Sequence, residues 1–261
     1  IVMRVYFEKP RTALGWRGLI VDPNMDGSYD ISRGLRLARR LLVQLNDMGL
    51  PAGSEMLDPI IPQYIAELIS WASIGARTTE SQTHREMASG LSMPIGFKNA
   101  TDGDVQIAIN AIVSASNPHS FVGIDRQGNT IVMRTAGNPD CHLILRGGKS
   151  GPNFDRLHVH EAAQRMAEAK LHPSIVVDCS HGNSEKKPER QGLVLQDLLA
   201  QREAGDSPIV GFMLESNLHD GCQTTSPGGE GLSYGVSVTD PCIGWETTAD
   251  LLQEAYERTR V

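Results

Sequence analysis

Residues 174–184 read SIVVDCSHGNS, and the change of character within this stretch decides the fold that we expect. The first half is a short apolar run, which is typical of a parallel strand with both faces buried. The second half is polar and carries His181. The same order of apolar and then polar residues occurs in HLILR (142–146) and PIVGFMLES (208–216). The sequence therefore predicts an α/β fold whose parallel strands end in polar side chains.

Strand-like and helix-like segments alternate along the whole chain. Core strands are predicted at 2–8, 51–56, 73–76, 93–98, 142–146, 174–180 and 208–214. Helices are predicted at 31–48, from Pro62, after an N-cap at Asp102, and at 157–170, 189–203 and 245–258. In the first helix the stripe expected to face the core is Ile31, Leu35, Ala38, Leu41, Leu45 and Met48. This alternation favours a doubly wound sheet or a (β/α)₈ barrel, for which seven strands are one too few.

One stretch breaks the alternation and is predicted to form a β-hairpin. Residues 120–134 read SFVGIDRQGNTIVMR, with Gln127, Gly128 and Asn129 at the turn. We interpret it as a hairpin inserted into a single domain that spans residues 1–261, because no linker, repeat or low-complexity tract interrupts the chain.

The composition disfavours several classes of partner. The net charge is −7 at pH 7, which argues against nucleic acid or an anionic membrane surface as the main partner. No apolar run approaches the roughly 18 residues that a membrane span requires. The four cysteines form no CxxC pair and are typical of reduced thiols. We therefore expect a cytoplasmic protein with no nucleic-acid or membrane partner.

Basic side chains nevertheless cluster at the predicted carboxyl ends of the strands, where barrel enzymes carry their active sites. Arginine offers paired donors to phosphate or carboxylate, and lysine offers a compact positive charge. Such a set indicates a site for an anion with more than one phosphate or carboxylate group. Its members are Arg4, Lys9, Arg11, Arg77, Lys98 and Arg146.

Three further residues are candidate metal ligands. His181 follows one predicted strand, Glu215 ends the next, and Asp240 lies in TDPCIGW. One histidine with two carboxylates suits a catalytic divalent metal ion that keeps open coordination positions. The sequence therefore predicts that these side chains meet around a common point.

Seven motifs in order then resemble one enzyme family, the type I class of 3-deoxy-D-arabino-heptulosonate 7-phosphate (DAHP) synthase. They are EKPRT (8–12), GARTTES (75–81), GFKN (96–99), LRGGK (145–149), DCSHGNS (178–184), LESN (214–217) and TDPCIGW (239–245). The resemblance covers essentially the whole chain. It implies a metal-dependent (β/α)₈ TIM barrel that condenses phosphoenolpyruvate with erythrose 4-phosphate and releases phosphate, the first step of the shikimate pathway.

The resemblance also implies roles for individual residues. Arg4, Lys9 and Lys98 would hold the carboxylate end of phosphoenolpyruvate. Arg77 and Arg146 would hold its phosphate, beside the backbone near Glu55 and Ala76. Arg11 and Thr12 would bind the phosphate of erythrose 4-phosphate. His181, Glu215 and Asp240 would hold Mn, Fe, Co or Zn, and the catalytic residues would be His181 and Lys9, with Lys9 as proton donor.

The chain departs from the family pattern at its start. The family's fourth metal ligand is a cysteine on the first barrel strand, in a GPCS-type motif that this sequence lacks. We therefore expect a barrel without its first strand, with poor solubility and little activity. The family further implies a homo-oligomer, a dimer or a tetramer, and an aromatic amino acid as effector.

Three other interpretations are consistent with parts of the pattern. Octulosonate 8-phosphate synthase shares the fold and uses phosphoenolpyruvate, but its motif resembles KANRS where this chain has KPRT. A Schiff-base aldolase using Lys98 would leave the His181 group without a role. From a different class, the chain could be a catalytically impaired fragment, or a regulatory or assembly subunit of the same family.

Overall fold

Strands and helices alternate in the computed structural model, which describes residues 1–11, 14–125, 127–205, 207–225 and 227–260. The strands are β1 (Met3–Arg4), β2 (Ala52–Glu55), β3 (Trp71–Ile74), β4 (Ile95–Lys98), β5 (Ser120–Ile124), β6 (Thr130–Arg134), β7 (Cys141–Leu145), β8 (Ile175–Asp178) and β9 (Ile209–Met213). The α-helices are α1 (Ile31–Asp47), α2 (Pro62–Ile65), α3 (Gln82–Ser89), α4 (Gln106–Ala115), α5 (Arg156–Glu168), α6 (Gln191–Glu203) and α7 (Trp245–Thr259).

The chain divides into two compact units. Unit 1 consists of Ile1–Lys98, Asn110–His142 and Pro227–Gly229. Its strands β1, β2, β3 and β4 lie side by side in chain order, and all three pairs are parallel. The side chains of β2 and β4 are buried throughout.

Unit 2 consists of Asn99–Ile109, Leu143–Ser226 and Glu230–Val261. Its strands also follow one another in parallel, with Leu143 opposite Ile175 and Asp178 opposite Met213. The stretch from Ile175 to Asp178 is thus a parallel strand, as predicted, and its carboxyl end leads directly to His181.

The strand predicted at 2–8 is shorter than expected, because the chain turns into a local loop. After Arg4 one more ladder bond is made, from Val5 N to Gly53 O at 2.8 Å. Beyond it, Phe7 O accepts from Ile20 N and Lys9 N donates to Arg17 O. Residues 7–9 therefore pair with the loop that follows them instead of with β2.

The predicted hairpin is present within unit 1. β5 and β6 pair antiparallel, with Ser120 opposite Arg134. At the turn, the Asp125 carboxylate accepts hydrogen bonds from the backbone N–H groups of Gln127 and Asn129, at 2.9 and 2.8 Å. This Asx-type bonding stabilises the turn that the sequence indicated.

The buried stripe of α1 agrees with the predicted one at Ala38 and Leu45 and differs from it elsewhere. Gly34, Ala38, Leu42 and Leu45 are buried, whereas Ile31, Leu41 and Met48 are exposed. Glycine at position 34 permits the close approach, since a Cβ there would lie 2.1 Å from the carbonyl oxygen of Ile20. The loop packed on Gly34 therefore rotates the helix so that its i, i+4, i+8 positions face the core.

The start of α4 corrects one prediction, the N-cap at Asp102. Asp104 Oδ1 accepts a hydrogen bond from the N–H of Gln106, the first residue of α4. Asp102 Oδ1 instead accepts one from the N–H of Asp104. Helix α3 was not predicted, because its eight residues are mostly polar and only its last turn is buried.

Within the described residues no helix is long and apolar enough to cross a membrane.

Truncating Leu42 should destabilise the fold, whereas truncating its neighbour should not. Leu42 has 0% of its surface exposed and Leu41 has 38%. We expect Leu42→Ala to lower the free energy of unfolding by about 2–5 kcal/mol because it leaves a cavity. Leu41→Ala should change it by about 0.5 kcal/mol or less. Urea denaturation measures both, and equal losses would contradict the observed orientation of α1.

Candidate active site and metal centre

His181, Glu215 and Asp240 meet within unit 2. His181 Nε2 lies 3.7 Å from Glu215 Oε1 and 4.0 Å from Asp240 Oδ2. One donor atom from each residue lies within 4.8 Å of the others. The three side chains thus converge as the sequence predicted, although they come from separate loops.

The His181 ring is oriented by the turn that carries it. Its Nδ1 lies 3.1 Å from Asp178 Oδ2 and 2.7 Å from Ser180 Oγ. Asp178 is fully buried and also accepts hydrogen bonds from the N–H and hydroxyl of Ser180, at 3.0 and 2.6 Å. The carboxylate fixes the proton on Nδ1, so Nε2 presents its lone pair toward Glu215 and Asp240.

Asp240 is brought to this point by backbone pairing in unit 2. Ile243 N donates to Glu215 O at 3.0 Å, and Ser216 and Ile243 form a parallel bridge. Cys242 and Gly221 form an antiparallel bridge on the same segment. The loop that carries Asp240 is therefore attached directly to the segment that carries Glu215.

The three residues fit a divalent metal ion. Metal–ligand bonds of about 2.0–2.2 Å place neighbouring ligand atoms about 3–4 Å apart, which agrees with the separations of 3.7 and 4.0 Å from His181 Nε2. One imidazole and two carboxylates suit Mn, Fe, Co or Zn. Asp240 is partly exposed, so the site has room for further ligands.

Five of the six predicted anion-binding cations belong to unit 1. Arg4 stacks on the ring of Tyr6, with its guanidinium carbon 4.2 Å from the ring centroid, and Lys9 is half-buried. Lys98 ends β4 with only 3% of its surface exposed, and Arg77 is exposed in the turn after β3. The stacking on Tyr6 fixes the direction of the Arg4 side chain.

Thr79 connects the Arg77 turn to the Lys98 strand. Its buried hydroxyl lies 3.0 Å from Gly75 O and 2.8 Å from Lys98 O. The hydroxyl thus contacts the carbonyls of two adjacent strand ends. Thr79 lies in a motif that the sequence singled out, but its role becomes visible only in the structure.

Glu55 and Ala76 lie at the same end of the unit 1 strands. The Glu55 carboxylate packs directly on Gly75, where an added Cβ would lie 2.3 Å from Glu55 Oε1. That buried oxygen has no hydrogen-bond partner in the part of the chain that the structure describes. Such an atom is costly in a folded protein and is typical of functional sites.

The remaining predicted residue of unit 1 that is described is Arg11. It is exposed, and its Nε donates to the carbonyl oxygen of Trp16 at 2.8 Å. This bond holds the side chain over its own loop. Thr12, predicted beside it, lies outside the described residues.

Arg146 belongs to unit 2, where buried asparagines hold its loop. Asn99 Oδ1 accepts from Arg146 N at 2.8 Å, and Asn153 Oδ1 accepts from Gly147 N at 2.7 Å. Asn183, in the His181 turn, accepts from Asn153 N at 2.9 Å and donates to Asp178 O at 2.9 Å. The loops of Arg146 and His181 are thus joined by one polar network, which sequence analysis missed because its members are distant along the chain.

Glu8 is a buried acid that sequence analysis assigned no role. It is 2% exposed, its Oε1 has no hydrogen-bond partner, and its Oε2 accepts weakly from Asp58 N at 3.4 Å. Burial, with a smaller contribution from the Asp58 charge, raises the pKa of Glu8 to about 7. Glu8 therefore exchanges its proton near neutral pH, one residue before Lys9.

The sequence matches the family described as DAHP synthetase I over residues 1–253. A protein of Escherichia coli (strain K12) named phospho-2-dehydro-3-deoxyheptonate aldolase, Tyr-sensitive, is 56% identical over 257 residues, which cover 98% of this chain and 72% of that protein. The Phe-sensitive protein of the same strain is 53% identical over 254 residues, which cover 97% and 72%.

A solved structure gives the same result for the fold. The phospho-2-dehydro-3-deoxyheptonate aldolase from Francisella tularensis SCHU S4 matches with a TM-score of 0.95 and 51% identity, over 100% of this chain and 75% of that one. This likeness confirms the predicted fold class, the TIM-barrel type of α/β fold.

Removing the Glu8 carboxylate should change the pH dependence of stability. The pKa of Glu8 is about 7 in the folded protein against an ordinary 4.5, so the folded state binds more protons between these values. The free energy of unfolding should therefore fall by on the order of 1–3 kcal/mol as pH rises from about 5 to 8, because of Glu8 alone.

Glu8→Gln should remove this part of the decline, and the exposed control Glu161→Gln should retain it. Urea unfolding at pH 5 and pH 8, in the presence of a chelator, measures the difference. The same pH dependence in wild type and Glu8→Gln would contradict the burial of this carboxyl group.

Proposed function

The chain belongs to the DAHP synthetase I family, and from this premise we propose that it is a DAHP synthase. It condenses phosphoenolpyruvate with erythrose 4-phosphate, giving 3-deoxy-D-arabino-heptulosonate 7-phosphate and phosphate. The observation that carries the proposal is the family match over residues 1–253, in a chain that also brings His181, Glu215 and Asp240 together. The match also favours the heptulosonate reaction over the octulosonate one.

His181 Nε2 and one carboxylate oxygen each from Glu215 and Asp240 would hold the divalent metal ion. When bound, such an ion supplies Lewis-acid polarisation of the aldehyde carbonyl. Asp178 keeps the His181 ring turned toward the two carboxylates. The identity of the metal stays open among Mn, Fe, Co and Zn, because the donor set suits all four.

Four cations of unit 1 bind phosphoenolpyruvate in this proposal. Arg4, Lys9 and Lys98 contact its carboxylate end, and Arg77 contacts its phosphate beside Glu55 and Ala76. The position of Lys98 at the carboxyl end of β4 supports this role, because barrel enzymes carry their active sites at that end of the strands. The stacking of Arg4 on Tyr6 supports it as well, because a side chain already fixed loses little entropy on binding.

Arg146 of unit 2 binds the phosphate of phosphoenolpyruvate, and the asparagine network prepares its loop for that role. Arg11 and Thr12 bind the phosphate of erythrose 4-phosphate. The terminal carbon of the enol attacks the aldehyde carbon, and the Lys9 ammonium gives a proton to the aldehyde oxygen. Water then adds to the carbon that bears the phosphate, and one of its protons restores the Lys9 ammonium. The bond between that carbon and the phosphate oxygen breaks, the second proton leaves with the phosphate, and the keto group of the product remains.

The names of the Escherichia coli relatives describe sensitivity to tyrosine and to phenylalanine. We propose that this chain likewise has an aromatic amino acid as effector, with the hairpin of β5 and β6 as a candidate contact. A homo-oligomeric assembly and a cytoplasmic location stay predictions.

Phosphate release in the presence of both substrates tests the proposed function directly. We expect release only when phosphoenolpyruvate and erythrose 4-phosphate are both present, and we expect a chelator to stop it and Mn²⁺ to restore it. Arabinose 5-phosphate in place of erythrose 4-phosphate should give little product. Release that needs no second substrate would contradict the proposal.

Lys98→Ala tests the binding role of unit 1. Removing one partner of a buried charge-assisted contact costs about 2–5 kcal/mol, so phosphoenolpyruvate affinity should fall well over tenfold. The exposed control Lys187→Ala should bind like wild type. Calorimetric titration measures both, and an unchanged affinity in Lys98→Ala would refute the assignment.

A further inference from the structure

Gln191, the first residue of α6, is a fully buried polar side chain with 0% exposure. Glutamine is rarely buried completely, and a buried amide must find partners for its donor and acceptor groups. The partners of Gln191 are both on one residue, the metal-ligand candidate Glu215.

The two contacts are reciprocal. Gln191 Nε2 donates to Glu215 O at 3.0 Å, and Glu215 N donates to Gln191 Oε1 at 2.8 Å. β9 ends at Met213, so Glu215 lies beyond the last strand residue. The side-chain amide therefore bonds the Glu215 backbone as a neighbouring strand would.

The same carbonyl oxygen connects Glu215 with the Asp240 segment. Glu215 O accepts from Ile243 N at 3.0 Å as well as from Gln191. The backbone of Glu215 is therefore held from two sides, by the start of α6 and by the loop that follows Asp240. The point from which the Glu215 side chain extends is therefore fixed.

We propose that Gln191 is a positioning residue for the metal site. It fixes the backbone of Glu215. The Glu215 carboxylate thereby stays near His181 Nε2, and the loop of Asp240 stays against the Glu215 segment. Outer partners of this kind are worth about 10–100-fold in metal affinity. The inference rests on the proposed function, because it takes the cluster to be a metal site.

The chemistry of the contact requires an amide. A glutamate at 191 would keep an acceptor for Glu215 N but would set a negative charge against Glu215 O. A methionine of similar volume would keep the packing but leave Glu215 N buried without a partner. These two substitutions therefore separate the hydrogen bonds from the packing.

Calorimetric titration of chelator-treated protein with MnCl₂ tests the inference. For Gln191→Met we expect the Mn²⁺ dissociation constant to rise about 10–100-fold. Gln253→Met is the matched control, since Gln253 is an exposed glutamine that also loses a hydrogen bond, to Glu257. It should bind Mn²⁺ like wild type.

A second measurement separates positioning from general stability. Thermal unfolding in chelator should stay cooperative in Gln191→Met, and the rise in melting temperature on adding Mn²⁺ should be smaller than in wild type. An Mn²⁺ affinity within about twofold of wild type would overturn the inference.

If Gln191→Met does not fold, Gln191→Glu takes its place in the titration. It keeps the bond from Glu215 N, and we expect weaker Mn²⁺ binding because the bond to Glu215 O is lost. A wild-type affinity in Gln191→Glu would overturn the inference. Wild-type protein that binds no Mn²⁺ would instead overturn the metal site of the proposed function, and this inference with it.

Discussion

Two carboxylates and one imidazole nitrogen share a space that suits a single ion, and the functional part of unit 2 depends on this constraint. The nitrogen of His181 lies 3.7 Å from Glu215 and 4.0 Å from Asp240. Carboxylates held near one another repel, which raises the free energy of the fold unless a cation or a shared proton lies between them. The surrounding residues supply the restraint: Asp178 behind His181, and backbone bonds around Glu215. The close approach of these groups therefore suits a bound metal ion.

Unit 1 shows the same relation between electrostatic cost and function. Glu8 and Glu55 are both buried, and each has an oxygen with no hydrogen-bond partner among the described residues. A protein selected for stability alone would replace such groups by apolar ones, since buried polar groups destabilise when they are poorly bonded. Their presence at the end of β2 and after β1 is typical of a functional site. Burial of the carboxyl group also raises the pKa of Glu8 to about 7.

Much of this organisation could be predicted from sequence because it depends on local patterns. The parallel strands and the hairpin turn followed from apolar runs and turn residues, and the metal candidates followed from residue type at strand ends. The rotation of α1 could not be predicted, because it is set by the contact of Gly34 with Ile20. Nor could the bonds between Asn99, Asn153 and Asn183, which join residues 30 to 54 positions apart. Side-chain networks across loops have no sequence period, so only the structure reveals them.

Locating a metal ion in crystals grown with MnCl₂ tests the metal centre most directly. Anomalous diffraction near the manganese edge identifies the ion without reference to the protein. We expect one strong peak at about 2.0–2.2 Å from His181 Nε2 and from one carboxylate oxygen each of Glu215 and Asp240. A single ordered manganese bound elsewhere, with His181 Nε2 donating directly to a carboxylate, would contradict the proposed metal centre.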